Sequence, residues 1–131
     1  MARIPFNLSF GLIVLPLKVE GINADNFRDL LVALDTGVST TSIPTKIALD
    51  LGYDLSNSRE EEILAGSGIE LMKRITVRKL TAIGEIVENI DVLCHDLPED
   101  SIIDGVLGLN FLRHFDVNIS FSTGTIELRP H

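Results

Sequence analysis

Short apolar runs, each about four to eight residues long, recur along this chain with turn-forming residues between them. Runs of that length suit strands, because a helix needs roughly ten or more residues to display an apolar stripe. The chain is therefore expected to be mainly β. In the first run Ile4, Phe6, Leu8, Phe10, Leu12 and Val14 alternate with Pro5, Asn7, Ser9, Gly11 and Ile13, close to the period of two of a half-buried strand. Strands are predicted at residues 4–10, 12–20, 30–34, 61–65, 69–77, 79–83, 90–94, 117–121 and 125–128.

Two short segments read as helical. In SIPTKIALDLGYDL, Pro44 suits a first helical turn, Ile47, Ala48 and Leu51 share one face, and Gly52 sits where a C-terminal cap would stop the helix. A second helical turn or two is predicted within 109–115. EEEILAGSGIELMKR reads as a hairpin, with Gly66, Ser67 and Gly68 at its tip and Glu60 to Glu62 facing Lys73 and Arg74 across its arms. Taken alone, that tip is an ordinary surface turn.

At 131 residues the chain is expected to form one domain, 1–131, able to bury a core without disulfides or metal. Hydrophobic residues make up 45% and aromatics only 5%, so the core must be Leu, Ile and Val. The charge balance, 11 − 19 = −8, argues against nucleic-acid or anionic-membrane partners and favours peptides or small molecules. Cys94 is the only cysteine, which rules out an internal disulfide, and it reads as a buried apolar residue rather than a nucleophile. His95, His114 and His131 lack metal-ligand spacing, so no metal and no cofactor are expected. The N-terminal run is too short and too polar to span a membrane and has no small-residue cleavage site after it, so a soluble, cytoplasmic protein is expected.

The segment LVALDTGVSTTSIP carries the residue with the most chemistry. Asp35 has three readings there: a solvated turn residue, an N-cap, or a catalytic carboxylate. The apolar strand Leu31-Val32-Ala33-Leu34 leads directly into it and would deliver the carboxylate to the edge of the core, where desolvation and backbone N–H groups tune acidity. Downstream, in SIIDGVLGLNFLRHF, Val106-Leu107-Gly108 repeats the scheme of an apolar pair followed by Gly.

The order of LDTG, an apolar stretch ending in Ile43-Pro44, a Gly-containing hairpin, and VLG with a short helix resembles the retropepsin-like aspartic proteases. DGVLGLNFL in particular is similar to their bacterial and archaeal single-domain members, and the likeness runs from about residue 12 to residue 128. It implies half of a pepsin-type bilobal fold, a closed β barrel with one or two short helices, and an aspartic endopeptidase that hydrolyses peptide bonds. Such hydrolysis needs one carboxylate as base toward water and a second, still protonated, as donor to the carbonyl oxygen. Only one D-T-G is present: Ser122-Thr123-Gly124 lacks the acid, and Asp104-Gly105 lacks the intervening Thr or Ser. The resemblance therefore implies a homodimer in which two copies of Asp35 form the site across a two-fold axis.

By the same resemblance, Asp35 is catalytic, Thr36 braces the two loops across the axis, and Gly37 lets the backbone approach the substrate. Leu107 and Gly108 would pack beneath the Asp35 loop. Val38, Gly66, Ser67 and Gly68 would contact the peptide, the three tip residues as a flap that closes over it. The sequence departs from the family at Val38, where Ala is usual, which should narrow the cleft. Ser39 and Leu109 stand where retroviral members carry an acid and an Arg that pair, so that dimer-supporting ion pair is absent. Retroviral members also interleave their termini into a shared sheet. An alternative expectation is a non-proteolytic peptide-binding or scaffolding module on the same fold.

Overall fold

The computed structural model describes residues 2–65 and 68–131, and the apolar runs become strands there because alternate side chains turn inward. The elements, in order, are β1 (Ala2–Pro5), β2 (Val14–Glu20), β3 (Phe27–Leu34), β4 (Ser42–Ile43), α1 (Thr45–Asp50), β5 (Arg59–Ala65), β6 (Gly68–Ala82), β7 (Glu85–Cys94), β8 (Gly105–Leu107), α2 (Leu109–Leu112), β9 (Phe115–Ser120) and β10 (Thr125–Pro130). In β2, Leu15, Leu17 and Val19 are buried while Pro16 and Lys18 face solvent. β2, β3, β8, β4, β7 and β6 lie side by side in that order, and β2 pairs again with β6 to close a six-stranded barrel. Val32, Ile43, Val77, Leu80 and Leu107 are among the fully buried residues of the core. β5 is the outer arm of a hairpin with β6, and β1, β10 and β9 form a separate sheet with β10 in the middle. The expected mainly β fold, with a closed barrel and two short helices, is what the chain adopts.

One crossing positions the site. β8 runs parallel to β3, pairing Val32 with Gly105, Ala33 with Val106 and Leu34 with Leu107. On its other side Val106 pairs with Ser42 of β4. β8 thus threads between two strands that are consecutive in the sequence, and residues 35–41, which join them, cross over its end.

Several predicted boundaries move. The strand expected at 4–10 stops at Pro5: Asn7 Oδ1 accepts the Ser9 N–H at 2.9 Å, which turns the chain into a surface loop. The strands expected at 69–77 and 79–83 are one strand, β6, because Arg78 stays extended and gives its N–H to Tyr53 Oη at 3.0 Å. β6 and β7 are joined by Ile83 and Gly84, with φ of 54° and 72°, the double left-handed geometry of a tight hairpin. Pro44 is the N-cap of α1 rather than part of its first turn, and Gly52 follows the helix with φ of 89°. α2 ends before 115, which begins β9.

The charges expected across the β5–β6 hairpin do meet. Lys73 Nζ lies 3.1 Å from Glu60, and Arg74 forks onto Glu61, with Nη2 to Oε2 at 2.8 Å, while its Nη1 reaches Asp91 at 3.2 Å. The Arg74 hydrogen bonds hold the Glu61 carboxyl below its ordinary value of 4.5, with the charges of Arg74 and Arg59 adding to the effect. A depressed carboxyl contributes stability that is present above its unfolded value and is lost as pH falls through its folded value. The melting temperature of the wild type should therefore drop between about pH 5 and pH 3, and Glu61→Gln should drop less over that interval. Equal slopes in the two thermal titrations would refute the assignment.

Cys94 is buried at the end of β7, as expected. Burial, helped by the charge of Asp96, pushes its thiol up to about 11. Maleimide at pH 8 should leave it unmodified in the native protein and label it fully after denaturation, as read by intact mass.

Candidate active site

β3 is apolar because it lies in the barrel wall, and its last residue, Leu34, hands the chain to Asp35 as the wall ends. Asp35 is half-buried there, and its loop is held from below. The Asp35 N–H donates to Leu107 O at 3.0 Å, Leu109 N donates to Val38 O at 2.9 Å, and Asn110 N donates to Ser39 O at 3.0 Å. The Asp35 carboxylate accepts the Gly37 N–H on Oδ1 at 2.9 Å, which fixes its rotation. Among the described residues, none donates a hydrogen bond to its other oxygen. Thr36 and Gly37 are exposed at the top of the loop.

Leu107 is fully buried beneath the loop, and Gly108 sits where the loop crosses. A Cβ at Gly108 would lie 2.9 Å from Val38 O and Thr40 C and 3.0 Å from Thr41 N, so only glycine lets the two backbones touch. The Gly108 N–H donates to Thr41 Oγ1 at 3.0 Å, and that hydroxyl donates in turn to Asn110 Oδ1 at 2.9 Å. Asn110 Oδ1 also accepts the Thr41 N–H at 2.9 Å, while its Nδ2 donates to Asp91 O at 2.6 Å. Backbone bonds and one asparagine thus brace the loop at Ser39 and Leu109, where the sequence lacks an ion pair.

Asn110, Thr41 and Arg74 are the residues that sequence reasoning missed. Arg74 Nη2 donates to Thr40 Oγ1 at 3.4 Å, tying the base of the hairpin to the acid loop. No local signal marks Arg74, which reads as half of a hairpin charge pair. Asn110 follows Gly108 closely enough to have been noticed, but a lone Asn opening a helix is common.

Asp104 is accounted for structurally. Its Oδ2 accepts the Leu31 N–H at 2.8 Å and its own N–H donates to Leu31 O at 2.7 Å. Leu31 lies four residues before Asp35, about 13 Å along an extended strand. Within one chain Asp104 is thus engaged elsewhere and does not pair with Asp35.

Val38 is half-buried and lines an apolar cavity of about 270 Å³ between the barrel and the β5–β6 hairpin, together with Ile63, Leu64, Met72, Leu93 and Val106. His95, also on its wall, lies 3.7 Å from Glu70 of β6. Gly68 opens β6 in an exposed position with φ of 124°, while Gly66 and Ser67 lie outside the described residues. Among the described residues, no group of His, Cys, Asp or Glu is arranged to hold a metal ion. No helix there is long and apolar enough to cross a membrane.

Comparison with known proteins agrees with this geometry. Residues 22–114 match the family described as "gag-polyprotein putative aspartyl protease". The fold is similar to the crystal structure of a retropepsin-like aspartic protease from Rickettsia conorii, with a TM-score of 0.69 and 23% identity over 96% of this chain and 87% of that one. A search of curated proteins finds no match.

Proposed function

Because the chain belongs to the gag-polyprotein aspartyl protease family and has the retropepsin-like fold, we propose that it is an aspartic endopeptidase assembled as a homodimer. The observation that carries this reading is a single Asp35, held on a loop braced from beneath by Leu107, Gly108 and Asn110, with one carboxylate oxygen left for a partner. Two such loops facing each other across a two-fold axis bring the acids together. Sharing one proton then makes one carboxyl the donor to the peptide carbonyl and the other the base toward water. The two titrate as a pair.

An extended peptide would lie between the acid loops and the β5–β6 hairpin, adding main-chain hydrogen bonds like a further strand. The cavity beside Val38 would take an apolar side chain next to the bond that breaks. Thr36 would brace the two loops at the axis, and the hairpin tip, with Gly68, would close over the substrate and exclude water. A cytoplasmic setting belongs to the same proposal.

The deciding experiment is a peptide-library digest run over a dilution series with wild type and Asp35→Asn side by side. Cleavage that disappears with Asp35→Asn, and whose rate per chain falls on dilution, supports the reading. Cleavage retained by Asp35→Asn would falsify it. A second reading, a peptide-binding module without hydrolysis, draws on Val38 in the cavity wall, since its bulk narrows the cleft beside the acid. It requires that wild type and Asp35→Asn bind the same peptides equally well and cleave none.

A further inference from the structure

The proposed dimer needs a contact surface, and resting on that reading we infer that a second copy of the chain docks on the apolar recess formed by residues 6–13 and Phe121. Leu8, Phe10, Leu12 and Phe121 are 54%, 51%, 47% and 65% exposed. They surround a recess of about 290 Å³ whose wall includes Leu34, the residue immediately before Asp35. Apolar groups of this size clustered in solvent mark a surface that another molecule covers.

The recess is built onto the acid strand. Leu34 N donates to Ile13 O at 2.9 Å, Phe6 N donates to Gly124 O at 2.8 Å, and the Phe6 and Phe121 rings meet edge to face with centroids 5.9 Å apart. A molecule seated there is registered against Asp35. Only a second copy, seated symmetrically, brings a second Asp35 with it.

Charge selects the same occupant. Each chain carries −8, so two copies repel least when they meet away from charged residues. No Asp, Glu, Lys or Arg occurs at positions 4–17, 36–45 or 117–126. Those segments hold the recess, the loop after Asp35, and the turn with Phe121. Within the chain β10 has β1 on one edge and β9 on the other.

The test is sedimentation equilibrium on wild type, Asp35→Asn and the double variant Phe10→Asp with Phe121→Asp, with the milder double Ser variant as a check that folding is intact. Wild type and Asp35→Asn should be dimers. In the double variants the dissociation constant should rise by at least about 100-fold, because an isologous contact contains each substitution twice. The wild-type dimer should tighten as salt rises, since screening relieves repulsion between the two −8 chains. A wild type that stays monomeric at its highest soluble concentration, folded double variants that dimerise like wild type, or a dimer that loosens in salt would each overturn the inference.

The two readings fail separately. A dimer that depends on Phe10 and Phe121 but cleaves no peptide keeps the docking surface and removes the protease. Cleavage that needs Asp35, from a dimer indifferent to Phe10 and Phe121, does the reverse.

Discussion

Asp35→Asn is expected to lower peptide cleavage by at least about 10³-fold, some 4 kcal/mol of transition-state stabilisation, with melting temperature and dimer unchanged. The amide has the shape of the carboxyl, and its oxygen can still accept the Gly37 N–H that orients the side chain now. It cannot take a proton from water or, in the proposed dimer, share one with a second copy of itself. The side chain is only half-buried, so the exchange leaves no buried group without a partner. Mixing gives the sharper result. With random pairing, a threefold excess of Asp35→Asn chains should cut the activity of a fixed amount of wild type to about one quarter, since most wild-type chains then sit in mixed dimers. A chain that carried its own complete site would be indifferent to the added protein, and that outcome would dismiss the two-chain dyad.

Gly108→Ala should damage the acid loop directly. The backbone of Gly108, at φ −101° and ψ −175°, is open to any residue, so the cost is not torsional. It is steric. The new methyl would press on Val38 O, Thr40 C and Thr41 N, which are backbone atoms of the crossing loop and cannot rotate aside. Relief requires the acid loop to lift off β8, losing the bonds from Leu109 to Val38 and from Gly108 to Thr41. A loss of about 2–4 kcal/mol in urea unfolding is expected, with cleavage falling further than stability alone explains. Lys46→Ala, at an exposed position of α1, is the control, and its unfolding midpoint should match wild type. If Gly108→Ala also matched wild type, the crossing would not be under the constraint described.

The parts of this architecture that could be read in advance rest on local rules. The inward alternation of Leu15, Leu17 and Val19 follows from strand geometry, and opposite charges on two arms of a hairpin find each other across a few residues. LDTG and VLG could be assigned to one site only through resemblance, because the pairing of Leu34 with Leu107 closes a loop of many residues that no local pattern encodes. The same non-locality hid Arg74, whose contact with Thr40 exists only once hairpin and acid loop have both formed. Where local rules misled, a specific competing interaction won. The alternation through Leu8 and Phe10 has the period of a strand, yet the Asn7 turn and the Phe6–Phe121 contact fold it into a loop. Ile83-Gly84 is not the Asn-Gly pair that announces a tight hairpin, and Ile83 takes its left-handed conformation under the pull of the long ladder on either side.

The threading of β8 between β3 and β4 also fixes a timetable. During synthesis Asp35 leaves the ribosome about seventy residues ahead of Leu107, and until β8 arrives the acid loop has no floor to give it shape. The barrel can begin from the β2–β3 and β6–β7 hairpins, but the acid loop gains its floor only once β8 has followed them. A nascent chain therefore holds Asp35 in an unformed loop until β8 has emerged to pair with β3.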